Sequence, residues 1–473
     1  MNKAALPLLL LLVLFGNGLR SVVSSTVFVS EGAFASFLRI SVNKTSVIIE
    51  LLLGAVLLSL LITPRLIQRF PARPLAAAMC FVAGVSSIGL ATLFWVAPPV
   101  ATREALVVVL FPLIGFSLAA LAPIAQMMTG WGGERHSKLL TGVWAVAMPA
   151  AFLITPQLVR VIAPRYGLDI FFVGFAMMPF LLMLGLWVVR EPADETAGGV
   201  TEEKAASFAL LPVLVALITF EAVTTLVSLS GISAPQTQIA AALFAASLAY
   251  LIVRVSPGRG AAQAPRTPAG GATLGVFAFL FLANVATTGF YDTAYLVKHM
   301  CSNTLIADRA TLGALAQVVA AMGATAILAR MPIQRTLMIA GAVITAAGLG
   351  SYMLYFGFPF YEVYLGSKAL TGFGTGLLTT AAVFAVTGAA GRNAHLSLFI
   401  AFVIIVGTEV GLELFEILIQ VMEMLSFTPD AVYSSVFVLQ AVLVVVAMPF
   451  LFSQRASPDA IAAEGAENPS AQH

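Results

Sequence analysis

The sequence predicts an all-α polytopic membrane protein: two six-helix bundles related by a pseudo-twofold, with two further helices between them. Three observations carry this. Hydrophobic residues make up 60% of the chain and charged residues only 10%, outside the balance of a water-soluble domain. The apolar residues gather in runs of about 20, the length a helix needs to cross a bilayer, separated by short polar loops. Sliding the chain on itself by about 266 residues superposes two blocks of six runs, with an identical Ile-Gln-Arg at 67–69 and 333–335.

In chain order the runs fall near 5–29, 46–64, 75–97, 105–128, 139–162, 168–189, 206–230, 238–255, 272–297, 306–329, 336–357, 361–387, 395–422 and 431–452, fourteen spans in all. The first resembles a signal peptide, with Lys3 before Leu6 to Phe15, but no small-x-small cleavage pattern follows and the apolar character continues to Val29, so a first spanning helix is expected. Two polar stretches, Arg190 to Lys204 and Ser256 to Gly271, bracket the seventh and eighth runs. The expected organisation is therefore a first bundle over 1–190, a linker carrying two helices over 191–271, a second bundle over 272–455 and a polar tail over 456–473.

Loop cations set the orientation. With both termini on the cytoplasmic side, fifteen Lys and Arg residues fall in inner loops and termini, seven in outer loops, and Arg20 and Lys368 remain inside spans. The compact loops suit a bacterial cytoplasmic (inner) membrane protein working as a monomer.

The thirteenth run carries an unusual face. Glu409, Glu413, Glu416, Gln420 and Glu423 recur at steps of four, three, four and three residues, which aligns them on one side of an α-helix. That face extends for about 21 Å, most of a bilayer core. A carboxylate in hydrocarbon costs several kcal/mol unless protonated, paired or wet. The stripe must therefore border protein or a water-filled crevice, either as satisfied bundle carboxylates or as carriers of protons or cations. On the same run Gly407 and Gly411 form a GxxxG, whose plain reading is close helix packing.

Several classes are excluded. The basic residues form no patch for nucleic acid, and the two cysteines and four scattered histidines make no metal site or disulfide framework. There is no GxxxxGK[ST] loop for ATP, and no constellation of an enzyme or of a cofactor site.

Four stretches resemble the major facilitator superfamily. Pro64 to Arg73, PRLIQRFPAR, is similar to that family's loop between helices two and three, with Arg65, Leu66, Arg69 and Arg73 in place, but Gln68 at its acidic position and Pro64 and Pro71 at its glycines. Gly115, Ser117 and Pro123 resemble the fourth-helix pattern, with Phe111 where Arg is usual; the second half keeps Lys368, Gly372, Gly374 and Gly376. Gly142, Val143 and Trp144, followed by Ala147, Ala151, Thr155 and Pro156, resemble the fifth-helix antiporter pattern. The fourteen spans are similar to the branch of drug:proton antiporters with that count, except that its first-helix Asp is missing near Val23 and Arg20 lies one turn earlier. The resemblance implies alternating access, with Arg65, Arg69, Arg73 and Pro156 in conformational gating. Without the loop Asp, the latch must be weaker or built otherwise.

Among the remaining polar residues, Arg20 follows Gly16, Asn17 and Gly18 halfway along the first helix. It is either a structural ion pair with a membrane carboxylate or a fork gripping an anionic solute, and the two coexist if the solute displaces the partner. Asn17 and Asn284 sit at matched depths as candidate hydrogen-bonders, Tyr291 and Asp292 are candidates for a polar cavity wall, and Lys368 either binds an anion or neutralises Glu362. The expected function is proton-coupled efflux of a small amphiphilic or anionic compound, with Glu409, Glu413 and Glu416 in proton coupling. Uptake of an organic anion or metal chelate with protons is the rival transport reading, and a non-transporting scaffold or assembly factor the rival class.

Overall fold

The computed structural model describes residues 5–38, 42–189, 268–288, 295, 303–357, 361–388 and 398–452, and all of the regular structure in them is helical. The two helices expected over 206–255 lie outside the described residues. Before them come α1 (Ala5–Leu38), α2 (Val42–Arg69), α3 (Ala72–Val96), α4 (Val100–Met128), α5 (Gly133–Tyr166) and α6 (Leu168–Val188). After them come α7 (Pro268–Thr287), α8 (Asn303–Leu328), α9 (Gln334–Gly357), α10 (Tyr361–Gly388), α11 (Ile400–Met424) and α12 (Pro429–Ala447). Nine described helices are long and apolar enough to cross a membrane. Large apolar side chains such as Trp187, Leu184, Leu181 and Met322 stay exposed on the outside of the bundle, as a lipid-facing surface requires.

The helices associate within each half first. In the first half α1 packs on α4 and α5, α2 on α4, and α3 on α4 and α6; in the second, α10 packs on α8 and α9, α7 on α11, and α12 on α7 and α9. Between apolar helices in lipid, close approach of backbones replaces the hydrophobic drive of water. The glycine run of α10 shows how. A Cβ on Gly374 would lie 2.5 Å from the Thr345 amide nitrogen and 2.7 Å from the Gly341 carbonyl oxygen on α9, while one on Gly376 would lie 2.9 Å from the Ala320 Cβ on α8. The run that resembles the fourth-helix pattern is thus a wedge fitted to both neighbours.

Helix ends follow local chemistry; α1 continues to Leu38 past the expected Val29, and two later runs end early. The run expected over 431–452 is interrupted at Met448, which keeps helical dihedrals of φ −57° and ψ −41°, because the next residue, Pro449, has no amide proton to donate; a short turn, Pro449–Phe452, follows. The run expected over 272–297 leaves the helix at Thr288. There the Gln440 side-chain amide of α12 donates to the Thr288 carbonyl at 3.0 Å, and the Thr288 hydroxyl lies 3.0 Å from both the Asn284 and Thr408 carbonyls. Side chains from α7 and α12 thus meet polar groups that a broken helix would otherwise leave bare.

The halves meet chiefly through α5 and α8, which run antiparallel. Lys138 donates to the Ala329 carbonyl at 3.3 Å, Gly142 packs against Thr325, and the Gln157 amide donates to the Thr311 hydroxyl at 2.8 Å. These contacts extend over about 28 Å of α5, close to the thickness of a hydrocarbon core.

Two glycines of α10 make a matched test. A Cβ added to Gly366 would meet nothing within 4 Å, whereas one on Gly374 would run into backbone. Gly366→Ala should leave the melting temperature of detergent-solubilised protein unchanged or slightly raised, and Gly374→Ala should destabilise by about 1–3 kcal/mol.

Candidate functional site

A small cavity of about 20 Å³ lies between the halves, lined by Asn17 and Arg20 of α1, Trp144, Ala145 and Met148 of α5, Thr379 of α10 and Ala401 and Ile404 of α11. Its volume is that of about one water. Anything larger needs its walls to move apart.

Each wall is held by a specific contact. Gly18 lets α1 approach α5, since a Cβ there would come within 3.3 Å of the Ala147 carbonyl oxygen. The buried Asn17 amide donates to the Trp144 carbonyl at 2.7 Å, and the Trp144 indole donates to the Ala122 carbonyl of α4 at 3.0 Å. Three helices are tied around one point. Arg20 leaves this knot with its side chain buried and its Nη2 3.3 Å from the Met148 thioether sulfur. Its charge acts directly on Glu409 of α11, which also feels Glu413 one turn along. An acid of the second half therefore lies within electrostatic reach of the cation of the first.

The acidic face of α11 does not share one environment. Glu409 and Glu413 are half-buried, whereas Glu416 and Glu423 are exposed, and Gln420 donates to the Glu416 carboxylate at 3.2 Å. The apolar residues of α11 divide in the same way. Phe402, Ile404 and Ile405 are buried against protein instead of lipid, and Leu414 is exposed. Gly407 brings α11 close to α7: a Cβ there would lie 2.7 Å from the Phe281 carbonyl oxygen of α7 and 2.9 Å from the Asn284 Cβ. With Gly411 against Val285 and Thr288, the GxxxG packs α11 onto α7, which leaves Glu409 on the other side of the helix.

Other expected site residues lie elsewhere. The Asn284 side-chain amide donates to the Leu280 carbonyl of its own helix at 2.7 Å, within the α7–α11 contact. Lys368 is half-buried with its chain lying over Gly313 of α8. Tyr291 and Asp292 lie outside the described residues. Of the gating candidates, Arg69 is exposed, Pro156 is half-buried in α5, and Arg65 is placed within α2. Arg73 donates to the Trp187 carbonyl at 2.8 Å with its guanidinium 5.7 Å from that indole centroid, so it ties α3 to α6 inside one half. Sequence reasoning missed Met148 and Thr379 as cavity walls, for which no periodicity signals a role. Trp144 carried a signal, its place in the fifth-helix pattern, without pointing to this use.

The fold has known counterparts. The proton:xylose symporter XylE, solved bound to 6-bromo-6-deoxy-D-glucose, superposes with a TM-score of 0.66 at 14% identity over 96% of both chains. The Escherichia coli fucose:proton symporter FucP superposes with a TM-score of 0.60 at 14% identity, over 96% of this chain and 99% of that one. This chain has the major facilitator fold. No family model matches the sequence, and no curated protein matches it closely. Within the major facilitator fold, the Arg20 cavity sits where both halves contribute walls.

The paired contacts between α5 and α8 set an expectation for accessibility. Gln157→Ala removes one contact worth about 1 kcal/mol, enough to change the population of an opened state about fivefold. With Cys301→Ser as background, modification of Ala314→Cys by a membrane-impermeant maleimide should speed up by that factor. Lys138→Met, at the other end of α5, should leave that rate unchanged or lower.

Proposed function

We propose that this protein is a secondary active transporter working by alternating access, in which an anionic solute and Glu409 compete for Arg20. The observation that carries this reading is a buried guanidinium in a cavity between two helix bodies, balanced by a carboxylate from the opposite body. When Glu409 is ionised it draws α11 towards α1. When it takes up a proton that attraction ends, and Arg20 is available to a solute carboxylate or phosphate. One proton on Glu409 and one anion on Arg20 are therefore linked, and Glu413 and Glu416 carry protons along the same face towards the exposed end of α11.

Opening and closing would work through α5 and α8, with Arg65, Arg69 and Pro156 in gating and Arg73 keeping the first body rigid. Asn17, Asn284, Lys368, Tyr291 and Asp292 would join the solute path as the bodies separate. The two helices over 206–255 would complete fourteen spans, with both termini cytoplasmic in a bacterial inner membrane and the monomer as working unit. The fifth-helix pattern supports proton-driven efflux of a small amphiphilic or anionic compound. The two structural counterparts are proton symporters, and a state that holds the proton on Glu409 and the anion on Arg20 together also fits symport, so uptake stands as the second reading.

The test uses proteoliposomes containing a pH dye, with the proton gradient imposed each way. Efflux by exchange predicts that solute and protons move oppositely; uptake by symport predicts that they move together. In either case Glu409→Gln should abolish proton movement while solute counterflow persists, and Arg20→Ala should abolish both. Proton movement unaffected by Glu409→Gln would remove the coupling role assigned to that residue.

A further inference from the structure

The composition of the cavity narrows the solute to one chemical class. Among the described residues its walls carry a single cation, Arg20, and the rest is mainly apolar: Trp144, Met148, Ile404 and two alanines. Of the polar groups nearby, the Asn17 amide nitrogen already donates to the Trp144 carbonyl and the Trp144 indole nitrogen to the Ala122 carbonyl. The other polar side chains in the walls are those of Arg20 and Thr379. A sugar carries a hydroxyl on nearly every carbon and needs a matching polar partner for each, because every hydroxyl buried against hydrocarbon loses its bond to water. A cation would meet Arg20 at close range. A dianion would bring one charge more than the site can balance.

We infer that the site takes an organic monoanion, a carboxylate on an apolar or aromatic body, and that it rejects sugars. This rests on the transporter reading of the same cavity. The carboxylate docks on the Arg20 fork, where two parallel N–H to oxygen bonds fit its geometry. In the closed cavity Nη2 lies on the Met148 sulfur, a weak acceptor that a carboxylate oxygen readily replaces. Met148 is unbranched and can swing aside, and its thioether with the Trp144 indole then lines the solute's apolar body. Glu409 is the group displaced, so solute and acid exchange on one guanidinium with no net change in buried charge.

Full-length protein in lipid nanodiscs is titrated with matched pairs of probes, benzoate against benzamide and octanoate against octanamide, and with D-xylose, following heat or intrinsic fluorescence. Benzoate and octanoate should saturate at least about tenfold more tightly than their amides, since the amides lack the charge-assisted bonds. D-xylose should give no saturable signal. Arg20→Gln should erase the preference for acid over amide, and Arg20→Lys should restore part of it; a melting curve on each variant establishes that it is folded. Equal affinity for acid and amide, saturable xylose binding, or a preference for acid that survives in folded Arg20→Gln would each overturn the inference. The two readings fail separately. Xylose-driven proton flux in vesicles would overturn the solute class and leave transport standing, whereas Arg20-dependent benzoate binding without any flux would support the class and remove transport.

Discussion

One buried charge organises this molecule. Arg20 sits within the membrane-embedded part of α1, at a cost of several kcal/mol unless something answers it. The answer comes from the other half of the chain, through Glu409 on α11. The contacts around the cavity bring those two groups together. Asn17 and Trp144 tie α1 to α5 and α4, and Gly18 lets α5 come near. Gly407 and Gly411 seat α11 on α7, with Glu409 on the other side of the helix. An apolar pair in place of Arg20 and Glu409 would pack as well and hold the halves shut; a charged pair can be exchanged for another ion.

The surrounding architecture matches that use. The halves are each bound by backbone-close helix packing, whereas the links between them along α5 and α8 are individually weak: an exposed lysine on a carbonyl, an amide on a hydroxyl, and a glycine against a threonine methyl. Contacts worth about 1 kcal/mol each suit the opening joint that the proposed alternating access requires, because a two-state equilibrium can only be shifted by energies comparable to the difference between its states. The loop between α2 and α3 lacks the motif's acidic residue, and Arg73 engages Trp187 within its own half instead of reaching across. Lys138 on the end of α8 supplies a link across the halves at one end of the bundle.

How much of this was legible in the sequence differs by feature. The described helices were readable to within a few residues at most of their ends, because twenty apolar residues in a row have one physical outcome in a bilayer. Among the exceptions, α1 runs on to Leu38, and the early ends at Thr288 and Met448 go with a side chain from another helix and with a proline. Arg20, Glu409 and the GxxxG stood out because each is expensive or unusual in an apolar run. Their partnership did not, since 389 residues separate Arg20 from Glu409 and periodicity orders residues only along one helix. Lys368 looked equivalent to Arg20 as a membrane cation, yet it lies over Gly313 of α8.

The sequence by itself therefore determined the class of the protein, the approximate positions of its described helices, and which residues could not rest in lipid. Burial cost and helical period are local properties, and they act wherever the segment ends up. Only the tertiary structure decided which acid meets Arg20, that Trp144 and Met148 wall the cavity, and that the stripe divides into a half-buried start and an exposed end. Those facts depend on how closely helices distant in the chain approach one another, which is set by glycines matching a neighbour's backbone and cannot be read from either helix alone.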